Sequence, residues 1–141
     1  MSCLIDIKLF VGQRKGFMKT IVDLTMIGVC CYFFFFGIGF LVKPDLVSNF
    51  ALSYVSPAGK TEVRAYYGAL SIGMSGFFLY LLLSHKQEYG LTGILFLASA
   101  VFLSRVVGTI IDKGFNESYT KLAIPTELGF VILLGLVRIF S

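Results

Sequence analysis

The chain reads LTMIGVCCYFFFFGIGFLV from Leu24 to Val42, which is 19 residues without a charged side chain. A membrane-spanning α-helix requires about 20 apolar residues to cross about 30 Å of hydrocarbon. The run is longer than the core of a typical signal peptide, and it continues past its one small-x-small motif, Gly37-Ile38-Gly39. It therefore predicts a retained membrane helix.

Three further runs have the same length and apolar character. Ala65 to Ser84 contains no charged residue. Tyr89 to Ile111 contains Arg105, and Leu122 to Phe140 contains Glu127 and Arg138. The predicted fold is all-α, a four-transmembrane-helix bundle. It forms a single integral membrane domain over residues 1–141, with a leader at 1–19 and spans at about 22–42, 63–84, 89–111 and 122–140.

The composition excludes several classes of protein. Hydrophobic residues make up 57% and charged residues only 14% of the 141 residues, and the mean hydropathy is +0.87. A soluble domain averages about 25% charged residues, so a soluble enzyme and a disordered segment are excluded. The net charge of +4 comes from scattered basic residues, which excludes a nucleic-acid-binding stripe. No cysteine and histidine spacing suits a metal ion, and no cofactor motif is present.

The connection between the first two spans, Lys43 to Arg64, is too long for a simple turn. Pro44 suits the first turn of a short amphipathic helix, which we expect to lie in the membrane interface. Thr61 is the expected N-cap of the second span, and Pro125 is a candidate first residue of the fourth.

Basic residues near the first span predict the orientation. Twelve basic residues divide equally between the two sides, but Arg14, Lys15 and Lys19 immediately precede the first span. The first flank usually dominates, so both termini are predicted to be cytoplasmic. Translation could start at Met1 or at Met18.

The charges inside the spans are the most informative feature. Arg105 precedes the predicted end of the third span by six residues, and Glu127 lies at a similar depth in the fourth. An unpaired charge near the middle of a membrane costs about 2.5–3.5 kcal/mol, so such residues face the bundle and pair. Two interpretations stay open: a structural Arg105–Glu127 clamp, and a cluster that binds a ligand or partner.

The predicted cluster contains the charged and aromatic residues that alternating spans bring to one membrane face: Glu62, Arg64, Tyr67, Arg105, Asp112 and Glu127. Asp112 is expected to pair with a cation such as Arg64, Lys113 or Lys121, because the C-terminal end of a helix repels an acid. No catalytic residue is assigned, since neither histidine nor thiol joins the cluster.

The chain also resembles a known family. The motifs are Lys43-Pro44-Asp45, Glu62-Val63-Arg64-Ala65-Tyr66-Tyr67-Gly68, Arg105-Val106-Val107-Gly108, Asp112-Lys113-Gly114 and Glu127. They are similar to those of the small bacterial four-span membrane proteins catalogued as domain of unknown function 4345, which are distantly DoxX-like. The resemblance covers about residues 20–141 and departs from the family pattern at Gly68-Ala69 and at Lys113. It implies a multi-pass protein of a bacterial inner membrane and supplies no activity.

The leading hypothesis is a non-enzymatic membrane protein. Its cluster would hold an amphipathic small molecule, a lipid headgroup or a partner subunit, including a second copy of the chain. One alternative is a small proton-coupled transporter that uses Glu127. The other is a membrane enzyme that acts on a quinone- or sterol-like lipid.

Overall fold

The computed structural model describes the backbone of residues 2–113 and 118–140, and the side chains of residues 16–113 and 120–140. Within these residues the chain is helical, without a β-strand. Four long helices and one 3₁₀ helix follow one another: α1 (Ser2–Val42), the 3₁₀ helix (Pro44–Phe50), α2 (Pro57–Leu83), α3 (Gln87–Ile111) and α4 (Ser118–Phe140). The predicted all-α, four-helix fold is confirmed.

Each long helix contains a segment that is long and apolar enough to cross a membrane. These segments are Gly16–Val42, Pro57–Leu83, Gln87–Ile111 and Thr120–Phe140. The last residue of each segment lies within one residue of the last residue of the corresponding predicted span. The first residue of each segment lies before the first residue of that span. From Ser2 onward the backbone of the predicted leader is part of α1, and the side chains up to residue 15 lie outside the described part of the chain.

The structure corrects two expectations about where helices begin. Ser56 caps α2, because its Oγ accepts a hydrogen bond from the Gly59 backbone N–H at 3.3 Å. Thr61 is therefore not the N-cap, and it lies inside the helix with its hydroxyl donating to the Pro57 carbonyl. Pro125 does not start α4 but lies within it; proline is tolerated inside membrane-spanning helices where other groups satisfy the freed backbone groups.

The short helix predicted to begin at Pro44 is present after α1, and it is a 3₁₀ helix. Its first residue, Pro44, is buried, and Ala51 ends it in the left-handed conformation. Beyond it, the Tyr54 hydroxyl donates a hydrogen bond to Asp45, which lowers the pKa of that carboxyl. Lys60 Nζ lies 3.6 Å from Asp45 Oδ2 and 5.6 Å from the centre of the Tyr54 ring. These contacts fold the connection back onto the start of α2.

Helices α1 and α2 form a tight antiparallel pair at a glycine contact. A Cβ added to Gly37 would lie 2.7 Å from Ile72 Cγ1 and 2.8 Å from the Gly68 carbonyl oxygen. Gly68 lies in a π-helical segment, Arg64–Ala69, in which the Leu70 N–H donates to the Ala65 carbonyl. Small residues of this kind let helix backbones approach closely where lipid removes the hydrophobic drive for association.

A buried hydrogen bond also joins this first pair. The Ser75 hydroxyl donates to the Cys30 carbonyl at 2.8 Å. Helices α3 and α4 form the second antiparallel pair, with Arg138 Nε donating to the Thr92 hydroxyl at 3.0 Å.

The two pairs meet in one half of the bundle. The hairpin face is defined here as the end where α2 connects to α3, and the long-loop face as the opposite end. In the hairpin half, Gln87 Nε2 donates to Asp23 Oδ1 at 3.0 Å, and a Cβ on Gly90 would lie 2.3 Å from the Met26 methyl group. The hydrophobic core occupies this half and contains Val22, Met26, Val29, Cys30, Phe78, Leu81, Leu91, Ile94 and Leu134.

The glycine contact yields a test of the α1–α2 packing. Gly37→Ala places a methyl group against the Gly68 backbone, and we expect it to destabilise the folded state by about 1–3 kcal/mol. Gly73→Ala is the matched control, because Gly73 lies on the same helix pair and faces open space. The temperature at which half of the detergent-solubilised protein is lost, measured by size-exclusion chromatography after heating, should fall for Gly37→Ala only. Equal midpoints for the two variants would contradict the described packing.

Candidate functional site

An ion pair joins α3 to α4 in the long-loop half of the bundle. Arg105 Nε donates to both carboxylate oxygens of Glu127, and each N···O distance is 2.8 Å. The Arg105 side chain is 28% exposed and the Glu127 side chain 24% exposed. The predicted pairing of these two residues is thus present in the structure.

The pair lies inside the two candidate membrane-spanning segments rather than at a helix end. Arg105 precedes Ile111, the last residue of α3, by about 9 Å of helix axis. Glu127 follows Thr120, where the membrane-spanning part of α4 begins, by about 10 Å. Because lipid offers no water to solvate a charge there, each side chain stabilises the other.

A shallow groove opens beside this pair on the surface of α3. Its volume is about 410 Å³, and it is lined by Ala100, Val101, Ser104 and Arg105. Ala100 and Ser104 are one turn apart, as are Val101 and Arg105, so the groove follows the helix axis. The Ser104 hydroxyl is exposed and forms no hydrogen bond with any described residue. The arrangement places two opposite charges and one hydroxyl at the edge of an otherwise apolar surface.

Sequence reasoning did not assign this groove. The sequence shows Ala100 and Ser104 as small residues at helical spacing, which is equally typical of helix packing. The available signal was that Ala100 and Ser104 are adjacent in sequence to Val101 and Arg105, a second pair one turn apart on the same helix. This spacing indicates that the four residues share one surface of the helix. It does not indicate whether a neighbouring helix covers that surface.

Arg64 and Tyr67 belong to a different contact. Arg64 Nε donates to the Leu41 carbonyl at 3.3 Å, and the Tyr67 ring lies 5.3 Å from that of Phe40. Both side chains therefore pack on the end of α1. No hydrogen bond, ion pair or ring contact among the described residues joins them to the Arg105–Glu127 pair.

Glu62 and Asp112 also lie outside the pair. Both side chains are exposed, and neither forms a hydrogen bond or ion pair with any described residue. The predicted cation partner of Asp112 is therefore wrong for the part of the chain that the structure describes. Asp112 follows the last residue of α3, where water can solvate the carboxylate without a protein partner.

Among the described residues, no three histidine, cysteine, aspartate or glutamate side chains are grouped so that they could hold a metal ion. The six residues of the predicted cluster therefore do not form one site. Two form an ion pair beside a groove, two contact α1, and two are exposed acids.

Comparisons of the chain with models of known families, with curated proteins and with solved structures find no match. The resemblance to the four-span family stays a prediction.

The ion pair has a direct test in its removal. Arg105→Ala leaves Glu127 without its partner at hydrocarbon depth, and we expect the folded state to lose about 2 kcal/mol or more. Exchanging the residues (Arg105→Glu with Glu127→Arg) should restore part of the loss. Arg64→Ala is the control, because Arg64 is exposed and forms one long hydrogen bond. Yield and heat resistance in detergent measure the effect, and an Arg105→Ala protein as stable as Arg64→Ala would argue against a stabilising pair.

Proposed function

We propose that this protein is a non-enzymatic, multi-pass membrane protein that holds an amphipathic molecule in the groove beside the Arg105–Glu127 pair. The observation that carries the proposal is the continuity of the two features, since Arg105 both lines the groove and binds Glu127. The groove is shallow and open, with a volume of about 410 Å³.

The position of the groove supports an occupant that comes from the bilayer. The groove is open and lies within a helix segment long and apolar enough to span a membrane, so a lipid-soluble molecule reaches it laterally. Apolar lining at Ala100 and Val101 suits a hydrocarbon chain, and the polar atoms of Ser104 and Arg105 suit a head group.

This arrangement favours binding over the two other functions considered from the sequence. A proton-coupled transporter that uses Glu127 would require this carboxylate to face the substrate, but both of its oxygens accept from Arg105 and Glu127 does not line the groove. A membrane enzyme would require an acid and a base facing the substrate, and the groove is lined by Ala100, Val101, Ser104 and Arg105.

The proposed location is the inner membrane of a bacterium, with both termini in the cytoplasm. The four candidate spans support the multi-pass topology, and an even number of spans places both termini on one side. The basic residues Arg14, Lys15 and Lys19 next to the first span support the orientation.

Blocking the groove tests the binding function. Ser104→Phe fills the groove without altering Arg105 or Glu127, and we expect it to reduce the fraction of protein that retains membrane-derived amphiphile by about fivefold or more. Leu103→Phe is the matched control, because Leu103 is the adjacent residue, is exposed and does not line the groove. Native mass spectrometry of the protein extracted in mild detergent measures the retained adduct. Equal retention by the two variants would contradict the proposal, and a dimer without an adduct would indicate that a second copy occupies this surface.

Reporter fusions test the orientation. In a bacterial host, green fluorescent protein fused after Ser141 should fluoresce, and alkaline phosphatase fused there should be inactive. Both results follow from a cytoplasmic C-terminus. A fusion within the connection Lys43 to Arg64 should give the opposite pattern. Active phosphatase at the C-terminus would reverse the proposed orientation.

A further inference from the structure

We propose that the groove selects an amphiphile with an uncharged polar head, a hydroxyl or carbonyl group, over one with an anionic head. This inference rests on the proposed function and names the chemical class of the occupant. Three features of the site carry it: its charge balance, a hydroxyl without a partner among the described side chains, and its depth.

The charge balance removes the attraction that an anion would require. Arg105 is the one charged residue among those that line the groove, and its charge is compensated by Glu127 at 2.8 Å. The Arg105–Glu127 pair as a whole carries no net charge, so it attracts an anion less strongly than an arginine without a carboxylate partner would. The anion would still lose its hydration, so its net binding would be weak.

A neutral head loses little hydration and finds hydrogen-bonding groups in the groove. The Ser104 hydroxyl can both donate and accept, and it forms no hydrogen bond with any described residue. A hydroxyl surrounded by hydrocarbon without a partner is unfavourable, because no water is available there. A hydroxyl or carbonyl on the occupant would satisfy Ser104 without introducing a charge.

The depth of Ser104 also favours a small neutral head. Helix α3 is 25 residues long, about 37 Å, against about 30 Å of hydrocarbon. Ser104 precedes Ile111 by about 10 Å of axis, so with α3 centred in the bilayer it lies about 7 Å below the hydrocarbon boundary. The phosphates of bilayer lipids lie outside that boundary, whereas a hydroxyl or carbonyl head can reach this depth.

The two ends of the groove indicate how such a molecule would be oriented. Ser104 and Arg105 lie nearer the long-loop face, and Ala100 and Val101 lie one turn nearer the bilayer centre. The polar head would therefore contact Ser104, and the apolar chain would extend along Ala100 and Val101 toward the hydrophobic core.

Two probes with the same hydrocarbon chain test the inference. The purified full-length protein in mild detergent is incubated with equimolar oleyl alcohol and oleate, and native mass spectrometry compares their adducts. We expect at least about fivefold more oleyl alcohol than oleate on the unaltered protein. Ser104→Ala should lower the alcohol adduct about threefold, the effect of one lost hydrogen bond, and Leu103→Phe should leave it unchanged.

A charge variant supplies the reverse test. Glu127→Gln leaves the Arg105 charge uncompensated, so the preference should shift toward oleate. If this variant does not fold, the probe ratio on the unaltered protein and the response to Ser104→Ala still decide the question. Equal or greater binding of oleate by the unaltered protein would overturn the neutral-head inference while leaving a binding groove in place. Adducts of both probes that Ser104→Phe does not reduce would overturn the proposed function itself.

Discussion

The arrangement of the second helix pair depends on one ion pair in a medium that does not solvate charge. Arg105 and Glu127 lie on different helices, at matching distances from the same membrane face. Placing either charged side chain in hydrocarbon without the other would have a high free-energy cost. Their contact therefore sets the register of α4 against α3, and the Arg138–Thr92 hydrogen bond fixes the same register at the other end. Two polar contacts of this kind restrict how far one helix can slide or rotate against the other more strongly than apolar packing alone.

The first helix pair is held together by close backbone packing instead of an ion pair. Helices α1 and α2 approach through Gly37 and Gly68, and the buried Ser75–Cys30 hydrogen bond lies further along the same contact. Among the described side chains, the aliphatic and aromatic core that joins the two pairs lies in the hairpin half. On α3 the core residues extend to Ile94, with Ala98 packed against them, and the groove begins at Ala100. The groove thus lies where the common core ends and each pair is held by its own contacts.

The sequence predicted the features that hydrocarbon enforces and missed those that depend on local backbone geometry. Four spans and the Arg105–Glu127 contact follow from segment length and from the cost of an unpaired charge. The π-helical segment Arg64–Ala69 has no comparable signal, because one shifted hydrogen bond leaves the composition of a helix unchanged. The placement of Thr61 failed because a threonine hydroxyl can donate to the carbonyl four residues earlier inside a helix as well as cap one. The placement of Pro125 failed because an apolar helix tolerates an interior proline that the general preference for the first turn argues against. Exposed carboxylates such as Asp112 need no protein partner where water is available, so their pairing could not be predicted from charge alone.

The use of an ion pair between α3 and α4 also bears on the character of the groove. Burying two charges has a desolvation cost that apolar or small residues at the same contact would avoid, as the glycine contact between α1 and α2 shows. The ion pair therefore stabilises the contact between α3 and α4 with a larger desolvation penalty than apolar packing at the same contact would have. It also introduces polar atoms with no net charge into the edge of a lipid-accessible groove. That combination is suited to a head group that forms hydrogen bonds but carries no charge, since such a group neither disrupts the pair nor requires hydration. In the proposed function, the same two residues would serve both the fold and the selection of the molecule that the groove binds.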